Sequence, residues 1–375
     1  MIDIARPSLG EEECLALREV IESGWLTQGP KVAAFEKEFA QRHEVKHAIA
    51  VTSCTTGLFL ALKALGIGPG DEVIVPAFTW VATANVVLHC GATPVFIDID
   101  LSTYNLDPEL LPQAITKKTK AIIPVHLFGL CADMDRISAI AGNIPIIEDA
   151  ACATGARYRN RSAGSLGLCG VFSFHPRKVI TTGEGGMITT NDDELAKKLN
   201  ILRNHGASVS EEQRHLGLKP YLLPEFAELG YNFRMTDLQG AIGLVQLEKL
   251  DGFLEERKNW AQYYQKNLEG IGWLQTPIVK QGYRHSWQAY VCLVDETKAP
   301  LTRNGLMERL QVGGISSRPG THAVHQLALY HDNFKLESEM CPIAAQCDRL
   351  TIALPLHNCM KSDDYNRIIY TIKQL

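Results

Sequence analysis

The chain has 375 residues, of which 46% are hydrophobic and 21% are charged, as is ordinary for a globular enzyme. Its formal net charge of -5 gives no electrostatic reason to expect binding to nucleic acid or to an anionic membrane. The ten cysteines include no C-x-x-C pair and no Cys/His pattern with zinc spacing, so we expect reduced thiols, no metal site and a cytoplasmic protein. Neither a signal peptide nor a membrane span is expected, because the N-terminus lacks an apolar core and the most apolar stretch, 48–68, is interrupted by polar residues.

Short apolar runs alternate with segments of helical periodicity from residue 46 to about residue 190. This alternation predicts an α/β fold in which a mostly parallel sheet is flanked by helices. The predicted strands cover 47–51, 72–75, 93–97, 120–125, 144–147, 171–174 and 187–190. The predicted helices between them cover 57–65, 81–90 and 134–141.

A helix is predicted to begin after Thr236, because Thr236 and Gln239 match a capping box and apolar residues follow at helical spacing. We expect this helix to lead out of the large domain through Leu250. The remainder mixes strand-like runs with helical segments, which indicates a smaller C-terminal α+β domain. We therefore predict a large domain over 1–245, whose N-terminal segment is allowed to pack on the small domain, and a small domain over 246–375.

Lys178 stands between an apolar run that ends at Phe174 and a Gly-rich turn at 183–186. A lysine in a loop between two buried strands is placed to form a Schiff base. A solvated lysine on a hairpin is the alternative.

Three further segments follow predicted strands, where ligands gather in sheets of this kind. Segment 51–57 (V-T-S-C-T-T-G) enters a helix and suits a phosphate, with an ordinary N-cap as the alternative. Trp80 is placed to stack on a flat ring, with core packing as the alternative. Glu148 and Asp149 end a buried strand, where one carboxylate could hold a ring nitrogen protonated; a metal ligand or a structural cap is the competing interpretation.

A fourth segment, 230–235 (G-Y-N-F-R-M), precedes the capped helix and suits a loop that contacts a ligand or a partner subunit. No G-x-G-x-x-G follows any predicted strand, which argues against a Rossmann nicotinamide site. The segments together supply an amine, a carboxylate, an aromatic ring and phosphate donors. Pyridoxal 5′-phosphate (PLP) requires that set of groups.

These motifs resemble those of the DegT/DnrJ family of PLP-dependent sugar-nucleotide aminotransferases, perosamine-synthase-like enzymes with the fold type I architecture of aspartate aminotransferase. The S-F-H-P-x-K segment that ends at Lys178 and the N-x-R-M segment that begins at Asn232 are the most specific in combination. The resemblance extends over nearly the whole chain through segments 23–30, 76–80, 148–151, 173–178, 182–186, 202–206, 230–235 and 353–357.

The resemblance implies a role for each matching residue. It implies that Lys178 forms the Schiff base with PLP and then carries a proton between the amino donor and the cofactor. Asp149 would pair with the pyridine nitrogen, Trp80 would stack on the ring, and Asn232 would reach the phosphate from the partner subunit of a homodimer. The hydroxyls implied for the phosphate are those of Thr55, Thr56 and Ser173.

Two positions depart from the family pattern. Cys152 stands where members often carry Gln or His facing the phenolic oxygen of PLP, so that contact is expected to be lost, taken by water or supplied elsewhere. Thr55 stands where many members have Gly. The family's sugar 3-dehydratases carry histidine in place of Lys178, so lysine favours transamination over dehydration.

The resemblance implies a ping-pong reaction in which glutamate donates an amino group to a keto sugar nucleotide. We expect a 4-keto-6-deoxyhexose acceptor and a 4-amino-4,6-dideoxy product that feeds O-antigen or another surface polysaccharide. The alternatives are C3 amination of a 3-keto sugar nucleotide, amination of a cyclitol, and a PLP-binding regulator without turnover, which the intact Lys178 and Asp149 argue against. The candidate substrate contacts are Thr27, Glu184, Arg203, Arg318, His322 and His325.

Overall fold

The structure of the protein, a computed structural model, describes residues 1–209, 221 and 223–375. No helix in these ranges is both long enough and apolar enough to cross a membrane. The helices are α1 (Glu11–Ser23), α2 (Pro30–Arg42), α3 (Cys54–Ala64), α4 (Ala82–His89), α5 (Leu111–Ala114), α6 (Met134–Ala141), α7 (Asp193–Arg203), α8 (Asp237–Leu268), α9 (Arg303–Val312), α10 (Ala328–Phe334), α11 (Pro342–Leu350) and α12 (Ser362–Lys373). The strands are β1 (His47–Val51), β2 (Glu72–Pro76), β3 (Phe78–Thr79), β4 (Thr93–Ile97), β5 (Thr119–Ile122), β6 (Ile147–Asp149), β7 (Arg157–Tyr158), β8 (Arg161–Ser162), β9 (Cys169–Ser173), β10 (Gly186–Thr190), β11 (Leu274–Gln275), β12 (Tyr283–Arg284), β13 (Tyr290–Val294), β14 (His322–Ala323) and β15 (Thr351–Leu354).

A central sheet has a four-stranded part in the order β1-β10-β9-β6 and a three-stranded part in the order β4-β2-β5. Two parallel bridges, Ile122 with Ile146 and Val125 with Asp149, join the parts where β5 meets β6. Strand β10 runs antiparallel to both β1 and β9, whereas the other neighbours are parallel. The predicted mostly parallel sheet is therefore confirmed.

Two apolar cores cover opposite faces of this sheet. Ile49 and Val51 belong to one core and Ala50, between them, belongs to the other, as the alternation of side chains along a strand requires. Each core is continued by helices, which explains why the strands carry apolar residues on both faces.

A third core lies in the C-terminal part, under the antiparallel sheet β11-β13-β15. Ile2 packs into this core, and a bridge joins it to Ile315. Helix α8 contributes Leu250 to a core of the central sheet and Tyr264 to the third core. One long helix thus packs against both the central sheet and the C-terminal sheet. The predicted domain division at 245/246 stays a prediction.

Most predicted elements are present with small shifts. Strands β1 and β4 and helix α6 have the predicted bounds. The strand predicted over 144–147 instead covers Ile147–Asp149, because Pro145 has no N–H and supplies only its carbonyl, to Ile122 N at 3.0 Å. The helix predicted after Thr236 begins there with both capping-box bonds but extends to Leu268.

Candidate active site

Lys178 lies in the loop that joins β9 to β10, at the end of the sheet where β6 also stops. The loop is pinned at its base, where Phe174 N donates to the Gly185 carbonyl oxygen at 2.9 Å. The lysine is half-buried, and its Nζ lies 3.2 Å from Cys152 Sγ, just beyond β6. The amine therefore points towards the residues that follow Asp149.

The Asp149 carboxylate ends β6 and is 5% exposed. Its Oδ1 accepts a hydrogen bond from Ala151 N at 3.1 Å and lies 3.9 Å from Cys54 Sγ. Its Oδ2 accepts one from the Thr83 hydroxyl at 2.8 Å. Burial first, and then the charge of Asp149, raise the pKa of the Cys54 thiol well above its usual value, so this thiol stays protonated and donates.

Glu148, the neighbouring carboxylate, points to the opposite face and has a structural role. Its two oxygens accept hydrogen bonds from the backbone N–H groups of Gly164, Leu166 and Gly167, each at 2.7 Å. His126 Nε2 lies 2.8 Å from Glu148 Oε2, and both side chains are fully buried. Because His126 Nδ1 accepts from Ala132 N, the ring proton is on Nε2 and is donated to Glu148. The sequence left three interpretations of this pair, namely a partner for a ring nitrogen, a metal ligand and a structural cap. The contacts of Glu148 are those of a structural cap.

The turn between β1 and α3 adjoins Ser173, because Gly186 pairs with Val51 on one side and with Ser173 on the other. A Cβ on Gly186 would come within 2.5 Å of the Ser53 carbonyl carbon, so this contact requires glycine. The N-terminus of α3, half-buried Thr55 and buried Ser173 are therefore gathered at one edge of the sheet.

Thr56 is a capping residue in this turn. Its hydroxyl donates to the Ser53 carbonyl oxygen at 2.9 Å and accepts from Ser53 N at 3.0 Å. Ser53 Oγ in return accepts from Thr56 N at 3.1 Å. The hydroxyl of Thr56 is therefore committed to the helix cap, contrary to the predicted contact with a phosphate.

Trp80 is 61% exposed, whereas Phe78 of the same segment is buried. Strand β3, just before Trp80, pairs with β14, so the ring centroids of Trp80 and His322 lie 5.9 Å apart. Core packing of Trp80 is thereby excluded, and its indole is available to a ligand beside half-exposed His322.

The guanidinium of Arg318 forms no ion pair with any residue that the structure describes. Its Nε is buried and has no hydrogen-bond partner among the described residues. Its side chain lines one small cavity with Arg177 and Gln288. Burial first, and then the neighbouring Arg177 guanidinium, lower the pKa of Arg318, and Cys152 acts in the opposite direction. A guanidinium in this setting is suited to bind an anion.

Arg203 and His325 are buried, and the substrate contacts predicted for them stay predictions. Arg203 is 4% exposed and pairs with Glu36, and its Nη1 also donates to the Ala50 carbonyl oxygen at 2.7 Å. It ties α7 to α2 and β1. His325 is fully buried, with its ring centroid 6.5 Å from that of Phe96.

Thr27, Glu184 and Asn232 are exposed. Their backbones are fixed: the Thr27 carbonyl oxygen accepts from Asp237 N at 3.1 Å, and Asn204 forms a bridge with Asn232. The roles predicted for these three side chains stay predictions.

Sequence reasoning missed Thr83 and Cys54, which both contact Asp149. Cys54 lies inside the segment interpreted as a phosphate turn. Thr83 lies in the first turn of α4 and Thr79 at the end of β3, and their hydroxyls lie 3.1 Å apart. No local pattern in the sequence marks this contact.

A mostly parallel sheet with helices on both faces and a smaller C-terminal sheet is the architecture of the PLP-dependent enzymes of fold type I. Residues 7–373 match the model of the DegT/DnrJ/EryC1/StrS aminotransferase family. The chain belongs to this family and is a PLP-dependent aminotransferase.

Relatives match along the whole chain. The spore coat polysaccharide biosynthesis protein SpsC of Bacillus subtilis is 44% identical over 372 residues, which cover 98% of this chain and 95% of that protein. The GDP-perosamine synthase of Caulobacter vibrioides is 43% identical over 378 residues, which cover 100% and 98%. The crystal structure of an aminotransferase from Psychrobacter cryohalolentis superposes with a TM-score of 0.94 at 32% identity, covering 100% of this chain and 98% of that one.

The residues of the site fit PLP. Lys178 supplies an amine at the strand ends, and Asp149 Oδ2, which holds one hydrogen bond from Thr83, has room for a second donor such as a pyridinium. The α3 N-terminus and Ser173 supply donors for a phosphate, and exposed Trp80 supplies a ring face. These groups would hold the cofactor's aldehyde, ring nitrogen, phosphate and ring respectively.

Proposed function

We propose that this enzyme transfers the amino group of glutamate to a 4-keto-6-deoxyhexose nucleotide. The product is a 4-amino-4,6-dideoxy sugar nucleotide for O-antigen or another surface polysaccharide. The proposed sugar rests on the full-length 43% identity to a GDP-perosamine synthase. The resemblance to SpsC supports a role in polysaccharide biosynthesis. The cytoplasm stays the predicted location.

The side chains of this site suit proton transfer at the donor's Cα. When bound, the cofactor supplies an electron sink for the charge that develops there. Lys178 Nζ would accept the proton released from Cα of the donor. It would later donate that proton to the cofactor carbon that carried the aldehyde. Cys152 Sγ, 3.2 Å away, accepts a hydrogen bond from Nζ and holds the amine over the turn after β6. Asp149 supplies a buried negative charge for a protonated ring nitrogen.

The working unit is proposed to be a homodimer. Asn232 is exposed. Its segment lies beside the β1–α3 turn, since the carbonyl oxygen of Phe233 accepts a hydrogen bond from Thr52 N at 3.1 Å. An exposed amide next to one phosphate turn is placed to reach the same turn of a second copy across a two-fold axis.

The reaction is tested first without a sugar. Wild-type holoenzyme mixed with glutamate should release a stoichiometric amount of 2-oxoglutarate, and Lys178→Ala should release none, because Lys178 is the amine proposed to take the Cα proton. Lys197→Ala, which removes an exposed lysine of α7, is the matched control and should behave as wild type. Turnover by Lys178→Ala, or no release by wild type, would contradict the mechanism, and the latter result favours a PLP-binding regulator.

The acceptor is tested next with GDP-, dTDP- and UDP-linked 4-keto-6-deoxyhexoses, reading product mass. An aminated product from at least one of them is expected. If only 3-keto sugar nucleotides or a cyclitol ketone are aminated, the proposed acceptor is wrong although the aminotransferase mechanism holds.

Arg318 is proposed to bind an anionic group of a substrate, since the buried Nε of its guanidinium has no hydrogen-bond partner among the described residues. Arg318→Gln should raise KM about tenfold, the loss expected for one charge-assisted hydrogen bond, while kcat changes less. Arg318→Lys, which keeps the charge, should recover part of the affinity. A raised KM for glutamate assigns the site to the donor carboxylate, a raised KM for the sugar nucleotide assigns it to the diphosphate, and an unchanged KM for both contradicts the proposal.

A further inference from the structure

A chain of hydroxyl groups holds the Asp149 carboxylate. Thr83 Oγ1 lies 2.8 Å from Asp149 Oδ2 and 3.1 Å from Thr79 Oγ1, and both threonines are 1% exposed. An ionised carboxylate only accepts hydrogen bonds, so Thr83 donates its proton to Asp149. Thr83 then has only acceptor capacity left for Thr79, which must donate to it. Chemistry therefore fixes the direction of both hydrogen bonds.

The backbone around Thr79 places its side chain beside Thr83. Thr79 ends β3, and Thr83 lies in the first turn of α4, four residues later. The Thr79 carbonyl oxygen accepts from the Thr321 hydroxyl at 2.9 Å, next to the β3–β14 pairing. Thr321 thus holds in place the residue whose hydroxyl donates to Thr83.

Packing alone does not require a hydroxyl at position 83. The neighbouring residues Ala77, Phe78 and Ala84 are fully buried, and valine has the shape of threonine. Burying a hydroxyl among apolar groups is unfavourable unless it forms a hydrogen bond, and the two bonds to Asp149 and Thr79 satisfy it. The hydroxyl is therefore explained by what it does for Asp149.

We propose that Thr83 is a positioning residue for Asp149. Its hydroxyl fixes the rotation of the carboxylate together with Ala151 N. Thr79 orients Thr83, and Thr321 connects the pair to the segment that carries His322. The proposal rests on the cofactor role of Asp149 proposed above.

The test compares Thr83→Val with Thr83→Ser. On dilution of the holoenzyme, followed by the visible absorbance of bound PLP, Thr83→Val should retain the cofactor about tenfold more weakly, as expected for a lost hydrogen bond to a charged group. Thr83→Ser keeps the hydroxyl and should stay close to wild type. Thr79→Val should show a smaller loss in the same direction, and it replaces Thr83→Val if that variant does not fold.

Thr190→Val is the matched control. Thr190 is also 1% exposed, and its hydroxyl donates to the Leu168 carbonyl oxygen at the far end of β10, so its loss should leave PLP retention unchanged. Unchanged affinity in Thr83→Val, or equal losses in Thr83→Val and Thr83→Ser, would overturn the proposal. Asp149→Asn separates the role of Asp149 from that of Thr83. If Asp149→Asn retains PLP like wild type, the cofactor role of Asp149 is wrong. If Asp149→Asn retains PLP weakly while Thr83→Val retains it normally, only the positioning role of Thr83 is wrong.

Discussion

Adjacent carboxylates in one strand serve different purposes because successive side chains of a strand point to opposite faces. Asp149 faces the Lys178 loop, where a thiol and a hydroxyl hold it. Glu148 faces the other side, where three backbone N–H groups and His126 surround it. Burial is nearly equal for the two residues, so their partners decide their roles.

Glu148→Gln should therefore unfold more easily without a large change in cofactor affinity. The amide nitrogen would face either a backbone N–H or the His126 proton, and breaking such a buried charged network costs about 3 kcal/mol. Urea denaturation measures the loss, and dilution of the holoenzyme measures PLP retention. Asp149→Asn is the paired control and should show the reverse pattern. A Glu148→Gln variant of normal stability that loses PLP would contradict this division.

Residue patterns predicted Lys178 and Asp149 as neighbours because both follow strands of one sheet. They did not predict Thr83 or Cys54, since these contacts depend on how α3 and α4 rotate over the sheet. They did not predict the ion pair of Arg203 either, because its sequence segment does not show that Glu36, far away along the chain, faces it.

At the scale of elements, local signals predicted starts better than ends. The capping box of Thr236 and Gln239 marks the first turn of α8, but no residue marks an end at Leu250. Gly252, the nearest weak position, has open space around it and does not interrupt the helix. The helix ends at Leu268, two residues before Gly270, whose φ of +84° is the left-handed conformation typical of a glycine that ends a helix.

Helix α2 ends at a buried histidine that should make the stability of the protein fall in acid. His43 stacks on Phe39 with ring centroids 4.0 Å apart, and burial lowers the pKa of His43 to about 4. A helix C-terminus favours a charged histidine by about 1 kcal/mol, which burial outweighs here. Above the usual pKa of about 6.5 the residue is neutral in both states, and as pH falls below it the unfolded chain takes up the proton first.

His43 alone should therefore remove about 2 kcal/mol of unfolding free energy between pH 7 and pH 5. Denaturation of wild type and His43→Gln across this range measures the effect, and the wild-type curve should be the steeper. His285, whose pKa burial lowers to about 3, acts in the same direction but is present in both proteins and cancels in the difference. Parallel curves would show that His43 is protonated in the folded protein.

At the scale of the whole molecule, the proposed homodimer predicts that two defective variants rescue each other. In a mixed dimer of Lys178→Ala and Asn232→Ala, one site combines the intact lysine of one subunit with the intact asparagine of the other. Random subunit exchange should recover about a quarter of wild-type activity at limiting PLP, as half the dimers are mixed and each has one intact site. Each variant exchanged with itself is the control. No recovery after demonstrated exchange would place both residues in the same subunit's site.

The pairing of β1 with β10 also has a consequence for how the enzyme is made. The phosphate turn follows β1, early in the chain, yet Val51 meets its partner Gly186 only in the last strand of the central sheet, with Ser173 on the far side. Such distant pairings form late in folding, because a long loop must close first. A nascent chain shorter than about 190 residues therefore lacks the proposed phosphate site between the β1–α3 turn and Ser173. PLP should bind only after β10 has paired with β1 and β9. Cofactor uptake should then report the completion of folding.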